Sequence, residues 1–155
     1  MSWPVIIRAA QLRDLPSLVA FNLALAWETE HKHLDPVTVT AGVEALLHDP
    51  QRGFYTLAEW QERVVGQVLV TFEWSDWRNG WFWWLQSVYV PPEFRGRGIF
   101  RALVHHLEER ARQDRQVVGF RLYVERDNRT AQAVYQALGW QPTTYGVLEK
   151  CWKPV

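Results

Sequence analysis

The sequence has little from which to build a redox, metal-binding or membrane protein. Its one cysteine, Cys151, excludes an internal disulfide, so a reducing, cytoplasmic setting is expected. Neither sign of charge predominates. Seventeen Lys and Arg against seventeen Asp and Glu leave a formal net charge of zero, and a nucleic-acid-binding chain that relies on its overall field needs a positive one. No apolar run approaches the roughly 20 residues that span a bilayer. The longest conspicuous one is Trp81-Phe82-Trp83-Trp84-Leu85, so no membrane partner is expected. No signal peptide is expected either, because Met1-Ser2-Trp3-Pro4 lacks a basic start and Arg8 interrupts the first apolar stretch. The histidines give no metal site. His31 and His33 are two apart, His105 and His106 adjacent, and on a helix neither pair converges.

What is present is enough for one domain, expected over residues 1–155. Ten tryptophans fit two roles, packing of core and hairpin or an aromatic wall beside a ligand. Val5-Ile6-Ile7-Arg8 reads as an opening strand. Asp14 offers a side-chain oxygen to cap a helix carrying Leu15, Leu18, Asn22 and Leu25 at helical spacing. A second helix is expected from about Pro36 to His48, with the ionisable stretch 28–33 between the two. Period-two patterning follows. Residues 53–59 suit a strand with a turn near 60–62, and 64–74 a second, in which Val64, Gly66, Val68 and Val70 oppose Val65, Gln67 and Leu69. Asn79-Gly80 is a hairpin turn into 81–90, which Pro91-Pro92 ends.

From Ile99 to about Arg115, the apolar repeat Ile99, Leu103, Leu107, Ala111 predicts an amphipathic helix. Residues 120–124 suit a strand. Asn128 caps a further helix ended by Gly139, and 144–152 is expected to be a last strand. The fold class is α/β, a mixed, mostly antiparallel sheet flanked by helices in the order β-α-α-β-β-β-α-β-α-β.

One junction carries chemistry. Arg95-Gly96-Arg97-Gly98 lies between a strand and a helix start, where backbone N–H groups and the positive helix end converge on an anion. Arg95, Arg97 and Arg101 add guanidinium groups suited to phosphate. A P-loop needs Gly-Lys-Ser/Thr, and Gly98-Ile99-Phe100 lacks it. A dinucleotide fingerprint needs a glycine where Arg101 stands. From these residues alone the loop is either an anion seat or a tight turn with solvated arginines.

The stretch Val88-Tyr89-Val90-Pro91-Pro92-Glu93-Phe94-Arg95-Gly96-Arg97-Gly98-Ile99 resembles the acetyl-CoA-binding motif of the GNAT superfamily of N-acetyltransferases. The stretch 128–140, from Asn128 through Tyr135 to Trp140, resembles that superfamily's following motif. The resemblance covers almost the whole chain and implies a GNAT-like fold and direct transfer of acetyl from acetyl-CoA to a primary amine of a small molecule or peptide, with no metal. It implies that backbone groups of Val88, Tyr89 and Val90 pair with pantetheine. The pattern Gln/Arg-x-x-Gly-x-Gly/Ala falls on Arg95, Gly98 and Phe100, and the N–H groups of Gly96, Arg97, Gly98, Ile99, Phe100 and Arg101 take the pyrophosphate. By the same resemblance, Asn128 would contact the cofactor arm and Tyr135 would protonate the departing coenzyme A thiolate. Phe100 departs from the family's small residue, and its side chain is expected in the core or along the cofactor.

Independently, Asn128 and Tyr135 are two helical turns apart and share a face, and a phenol is a proton donor at neutral pH. For the base, Glu73 is the first candidate, then Asp76 and Glu30. The acceptor is expected between 28–33 and the hairpin 72–84. A non-catalytic acyl-CoA-binding module on the same fold is the alternative, and association into a homodimer stays open.

Overall fold

A computed structural model describes residues 3–153. It divides into two compact units, Met1–Leu122 and Tyr123–Val155, each treated by itself. In the first, strands β1 (Ile6–Ala9), β2 (Phe54–Trp60), β3 (Arg63–Ser75), β4 (Gly80–Tyr89) and β5 (Val117–Leu122) form one sheet in sequence order. All neighbours are antiparallel except β4 and β5, which run parallel. Helices α1 (Leu15–Glu30) and α2 (Pro36–His48) precede β2, and α3 (Ile99–Gln113) joins β4 to β5.

Strand alternation assigns the two faces. Tyr55 and Leu57 of β2 cluster with Leu18 of α1 and Val43 of α2. Ala58, the opposite parity, pairs with Gly66 of β3, where a Cβ would stand 2.9 Å from Ile99 of α3. Glycine there lets the first turn of α3 lie directly on the sheet. With both faces covered, Val65, Val68 and Val70 of both parities are buried, which is why 64–70 is apolar almost throughout.

α2 starts as expected, with Asp35 accepting from Val37 N at 3.4 Å and Thr38 N at 3.1 Å. Asp14 is a correction, since its side chain makes no cap bond to α1. Its two oxygens are taken by Arg8, at 2.8 Å each, and by the Gln11 N–H at 2.7 Å. Arg8 also donates to Glu59 at 2.7 Å, so one guanidinium ties β1 and β2 to the start of α1. Hydrogen bonding from Arg8 holds the Asp14 carboxyl below its ordinary pKa. Arg8→Met leaves a carboxylate that is only 6% exposed without its partner, and is expected to cost about 2–3 kcal/mol at pH 7 in urea unfolding. A group with a depressed folded pKa stabilises above its unfolded pKa, so this difference shrinks as the pH falls below roughly 4.

The second unit holds α4 (Arg129–Ala137). Asn128 caps it, accepting from Ala131 N at 3.0 Å, and Gly139 at φ 91° follows its end. The strand expected at 144–152 is not formed, and among the described residues no strand follows α4. Tyr145, Val147, Leu148 and Trp152 stand exposed there. The alternation has neither a buried face nor a ladder partner to match it. β5 begins at Val117 rather than at 120, because its pairing with Trp81–Leu85 of β4 sets its bounds. No described helix is long and apolar enough to cross a membrane.

Candidate functional site

The parallel ladder between β4 and β5 stops at Leu85↔Leu122, while β4 continues to Tyr89. Among the described residues, no strand pairs with β4 on the β5 side beyond Leu85. A groove of about 570 Å³ opens at this end of β4. Val88, Tyr89 and Val90 line it on the strand side, Leu25, Glu28 and Thr29 on the α1 side, and Pro92 and Arg95 at the loop. The structure therefore places all three strand residues expected to contact a ligand at one open edge.

The loop follows directly. Gly96 and Gly98 adopt φ 74° and φ 77°, the left-handed region that glycine tolerates without strain. A Cβ on either would meet nothing within 4 Å, so the outer side of the loop is open. Gly98 is the N-cap of α3 and no side chain caps that helix, which leaves its first N–H groups unclaimed by side chains and suited to an anion. Ile99 is buried, Phe100 half-buried and Arg101 exposed on the first turn.

Two of the loop arginines do something other than the expected electrostatic work. Arg95 donates through Nε to Val90 O at 2.8 Å and through a terminal nitrogen to Glu28 Oε2 at 2.6 Å. Tyr89 donates its hydroxyl to the other Glu28 oxygen at 2.9 Å. Arg95 thus ties the loop to the strand end and to α1. Its hydrogen bond holds the Glu28 carboxyl below the ordinary range, and burial, with the bond to Glu28, pushes the Tyr89 phenol up. Arg97 donates to Glu93 O at 3.2 Å and lies 3.9 Å over the Trp3 ring. Arg101 alone of the three makes no hydrogen bond or ion pair among the described residues, and it faces solvent.

Glu73 is not among the groove residues. It pairs with Phe82 across the hairpin, six positions from Val88, or roughly 20 Å along the strand. Its Oε1 accepts from Trp84 Nε1 at 2.8 Å and from Arg121 at 2.9 Å, and the Trp84 bond followed by Arg121 holds its pKa down. Asp76 sits in the hairpin turn beside Trp77 N, and Glu30 lies near Lys32, 3.7 Å away. Most of the hairpin tryptophans pack. Trp83 stacks on Phe120 and Trp74 meets Trp81 edge-on, while Trp77 is exposed. Trp27 stacks on His33, and among the described residues no group of three or more potential ligands is placed to hold a metal.

Asn128 and Tyr135 lie in the second unit. The Asn128 side chain is engaged in the cap of α4. Tyr135 packs near Trp140, centroids 5.8 Å apart, and burial raises the pKa of its phenol. Glu28 escaped the sequence reading, although it lies in the ionisable stretch 28–33. Its partner Arg95 is 67 positions away, and only the fold brings them together.

The sequence model of the family described as Acetyltransferase (GNAT) family matches residues 17–140. A thialysine N-epsilon-acetyltransferase of Bos taurus is 38% identical over 81 residues, 52% of this chain and 46% of that protein. A mycothiol acetyltransferase of Mycolicibacterium gilvum (strain PYR-GCK) is 29% identical over 131 residues, 82% of this chain and 42% of that protein. The matches span less than half the length of either relative. The crystal structure of a possible acetyltransferase from Clostridium difficile 630 aligns with a TM-score of 0.89 at 44% identity, covering 94% of this chain and 96% of that one.

Proposed function

The chain belongs to the acetyltransferase (GNAT) family, and from that premise we propose that it transfers acetyl from acetyl-CoA to a primary amine of a small molecule or peptide. The observation that carries this reading is the open edge of β4 beyond Leu85, running into a left-handed glycine loop at the start of α3. Residues 1–155 act as one domain in this reading.

Acetyl-CoA supplies an acetyl group activated as a thioester. The fit to this chain is physical. A pantetheine arm is a row of amides that needs unpaired strand groups, and the β4 edge at Val88–Val90 has lost its ladder neighbour. A pyrophosphate needs N–H groups that it can approach closely, and this is supported by the open space beside Gly96 and Gly98 and by the helix start that no side chain caps. Arg95 and Arg97 keep the loop in this shape through their bonds to backbone carbonyls and Glu28, while Arg101 remains to face a phosphate.

A strand N–H would polarise the thioester carbonyl, and the neutral acceptor nitrogen would bond to the acetyl carbon as the carbon–sulfur bond breaks. Tyr135 would give its proton to the sulfur, while the proton shed by the acylated nitrogen passes to solvent and solvent reprotonates the phenolate. Glu28 supplies the carboxylate in the groove, and Arg95, which also lines it, balances that charge. Both Glu28 and Glu73 are held below the ordinary carboxylate pKa, and weakly basic groups accept a proton poorly at neutral pH. The acceptor then loses its proton to solvent, and the rate rises with pH through the acceptor's own pKa. Accordingly, Glu73→Gln is expected to lower kcat less than threefold. A drop of a hundredfold in steady-state turnover would restore Glu73 as the base.

The deciding experiment follows thiol release from acetyl-CoA against polyamines, amino acids, peptides and aminoglycosides, with coenzyme A binding measured by calorimetry. Turnover on at least one amine is expected. Binding without turnover on any amine favours a non-catalytic acyl-CoA-binding module, and no binding at all removes both readings.

A further inference from the structure

Within the apolar run Val64-Val65-Gly66-Gln67-Val68-Leu69-Val70 stands one amide, and Gln67 is 0% exposed. Burying such a group is unfavourable unless it is hydrogen-bonded. Its Nε2 donates to Ser87 O at 2.9 Å and to Asn22 Oδ1 at 3.0 Å. Both partners are acceptors, which fixes which end of the Gln67 amide faces them. Asn22 in turn donates to the hydroxyl of Tyr55 at 3.0 Å, and Tyr55 is 3% exposed. Side chains from α1, β2 and β3 thus form one buried chain of hydrogen bonds that ends on the Ser87 carbonyl of β4.

That serine is where β4 is irregular. Gln67 pairs with Tyr89 and Leu69 with Gln86, so two steps along β3 match three along β4. Ser87 takes the extra step at φ 48°, a conformation that a non-glycine residue holds only when its surroundings impose it. The Gln67 bond to the Ser87 carbonyl, backed by Asn22 and Tyr55, is that imposition. The Ser87–Val88 peptide is trans, so its C=O and N–H point in opposite directions. The carbonyl is turned to the Gln67 side-chain amide. The Val88 N–H therefore points away from that amide, on a residue that lines the groove beyond the last β4–β5 pair.

We propose that Gln67 is a positioning residue: by holding the Ser87 carbonyl it aims the Val88 N–H at the thioester carbonyl oxygen of the acetyl donor. The inference rests on the acetyltransferase reading and adds to it a residue that touches no substrate. As the acetyl carbon bonds to the acceptor nitrogen, its oxygen gains negative charge, and a donor already aimed at that oxygen stabilises the charge without reorienting. The charge is lost again when the carbon–sulfur bond breaks and the sulfur takes a proton. Gln67 gains and loses nothing in the step; it sets an angle.

The test compares Gln67→Met, of similar length without a donor, with Tyr55→Phe, which keeps the ring and removes the hydroxyl. For each full-length variant, kcat and KM for acetyl-CoA are measured with the best amine. Free coenzyme A, which has no acyl carbonyl, is titrated by calorimetry. Gln67→Met is expected to lower kcat by about 30- to 100-fold, less than complete loss of an oxyanion donor, with coenzyme A affinity changed less than threefold. Tyr55→Phe is expected to lower kcat about fivefold by freeing Asn22, the second acceptor that holds the Gln67 amide. Coenzyme A affinity falling in step with kcat would show a merely structural role and overturn the proposal, as would a folded Gln67→Met with unchanged kcat. If Gln67→Met does not fold, unchanged kcat in Tyr55→Phe overturns it. A wild-type chain that binds no coenzyme A defeats the acetyltransferase reading itself and this proposal with it, an outcome distinct from active wild type with indifferent variants.

Discussion

Gly98→Val is expected to weaken coenzyme A binding at least a hundredfold while the protein still folds. Gly98 sits at φ 77°, ψ 12° as the N-cap of α3. A β-branched residue is strained there by about 1–2 kcal/mol, and in a domain of this size that lowers Tm by roughly 2–8 °C. Nothing in the fold adds to that penalty, because a Cβ at 98 meets no atom within 4 Å. The same open space is what a pyrophosphate needs in order to reach the N–H groups at the start of α3, and two methyl groups fill it. Affinity and stability therefore separate. Calorimetric titration with coenzyme A, beside a thermal melt by circular dichroism, reads both. A lowered Tm with unchanged affinity would mean that the glycines serve only the turn, which is the plainer of the two readings their sequence allows.

Those glycines were legible because a chemical need and a local pattern coincide in them. The same is true of α3, whose buried Ile99, Leu103 and Leu107 recur every four residues, and of Asn79, which adopts a positive φ of 50° at the hairpin turn, whereas Gly80, expected in that turn, begins β4 and pairs with Ser75. What stayed illegible depends on partners distant in the chain. Asp14 reads as a helix cap from its neighbours, yet Arg8 takes its carboxylate, since a charge-assisted pair outcompetes a neutral N–H donor. Glu73 reads as a strand carboxylate near an aromatic hairpin, and only the pairing of β3 with β4 shows that it faces Trp84 and Arg121 at the far end from the groove. Ser87 carries no local sign of a positive φ at all. Its one trace is indirect: a lone glutamine in the apolar strand of Gln67 implies a buried partner without saying which.

The proposed site accordingly has two kinds of residue. In this reading Gly96, Gly98 and the β4 edge would act through their backbone, and their side chains would matter by being small or by leaving a strand unpaired. Glu28, Arg95, Tyr89 and Gln67 would act through side chains on backbone placed by others. Arg95 shows the difference from a simple charge argument. Its guanidinium lies in the loop expected to hold phosphate, yet it is committed to Val90 O and Glu28. It sets where the loop begins relative to the end of β4.

Tyr135→Phe tests the chemistry rather than the binding, and is expected to lower kcat by about a hundredfold or more, within the range that a positioned proton donor supplies. Burial raises the phenol's pKa above its ordinary value, because an apolar setting disfavours the phenolate. The hydroxyl therefore stays protonated through neutral and moderately alkaline pH, which is the state an acid must hold when the thiolate departs. The sign fixes the pH profile. Wild-type kcat keeps its acid-dependent rate until the pH exceeds about 10, the ordinary value for tyrosine, and falls beyond it, whereas the phenylalanine variant lacks that alkaline limb. Phenylalanine keeps the ring against Trp140, and a melting temperature measured beside turnover shows whether the variant stays folded. Steady-state turnover from pH 6 to 10.5, beside coenzyme A titration, decides the matter. Unchanged turnover removes Tyr135 as the acid and leaves the sulfur to be protonated by solvent. A parallel loss of affinity makes the hydroxyl a binding group instead.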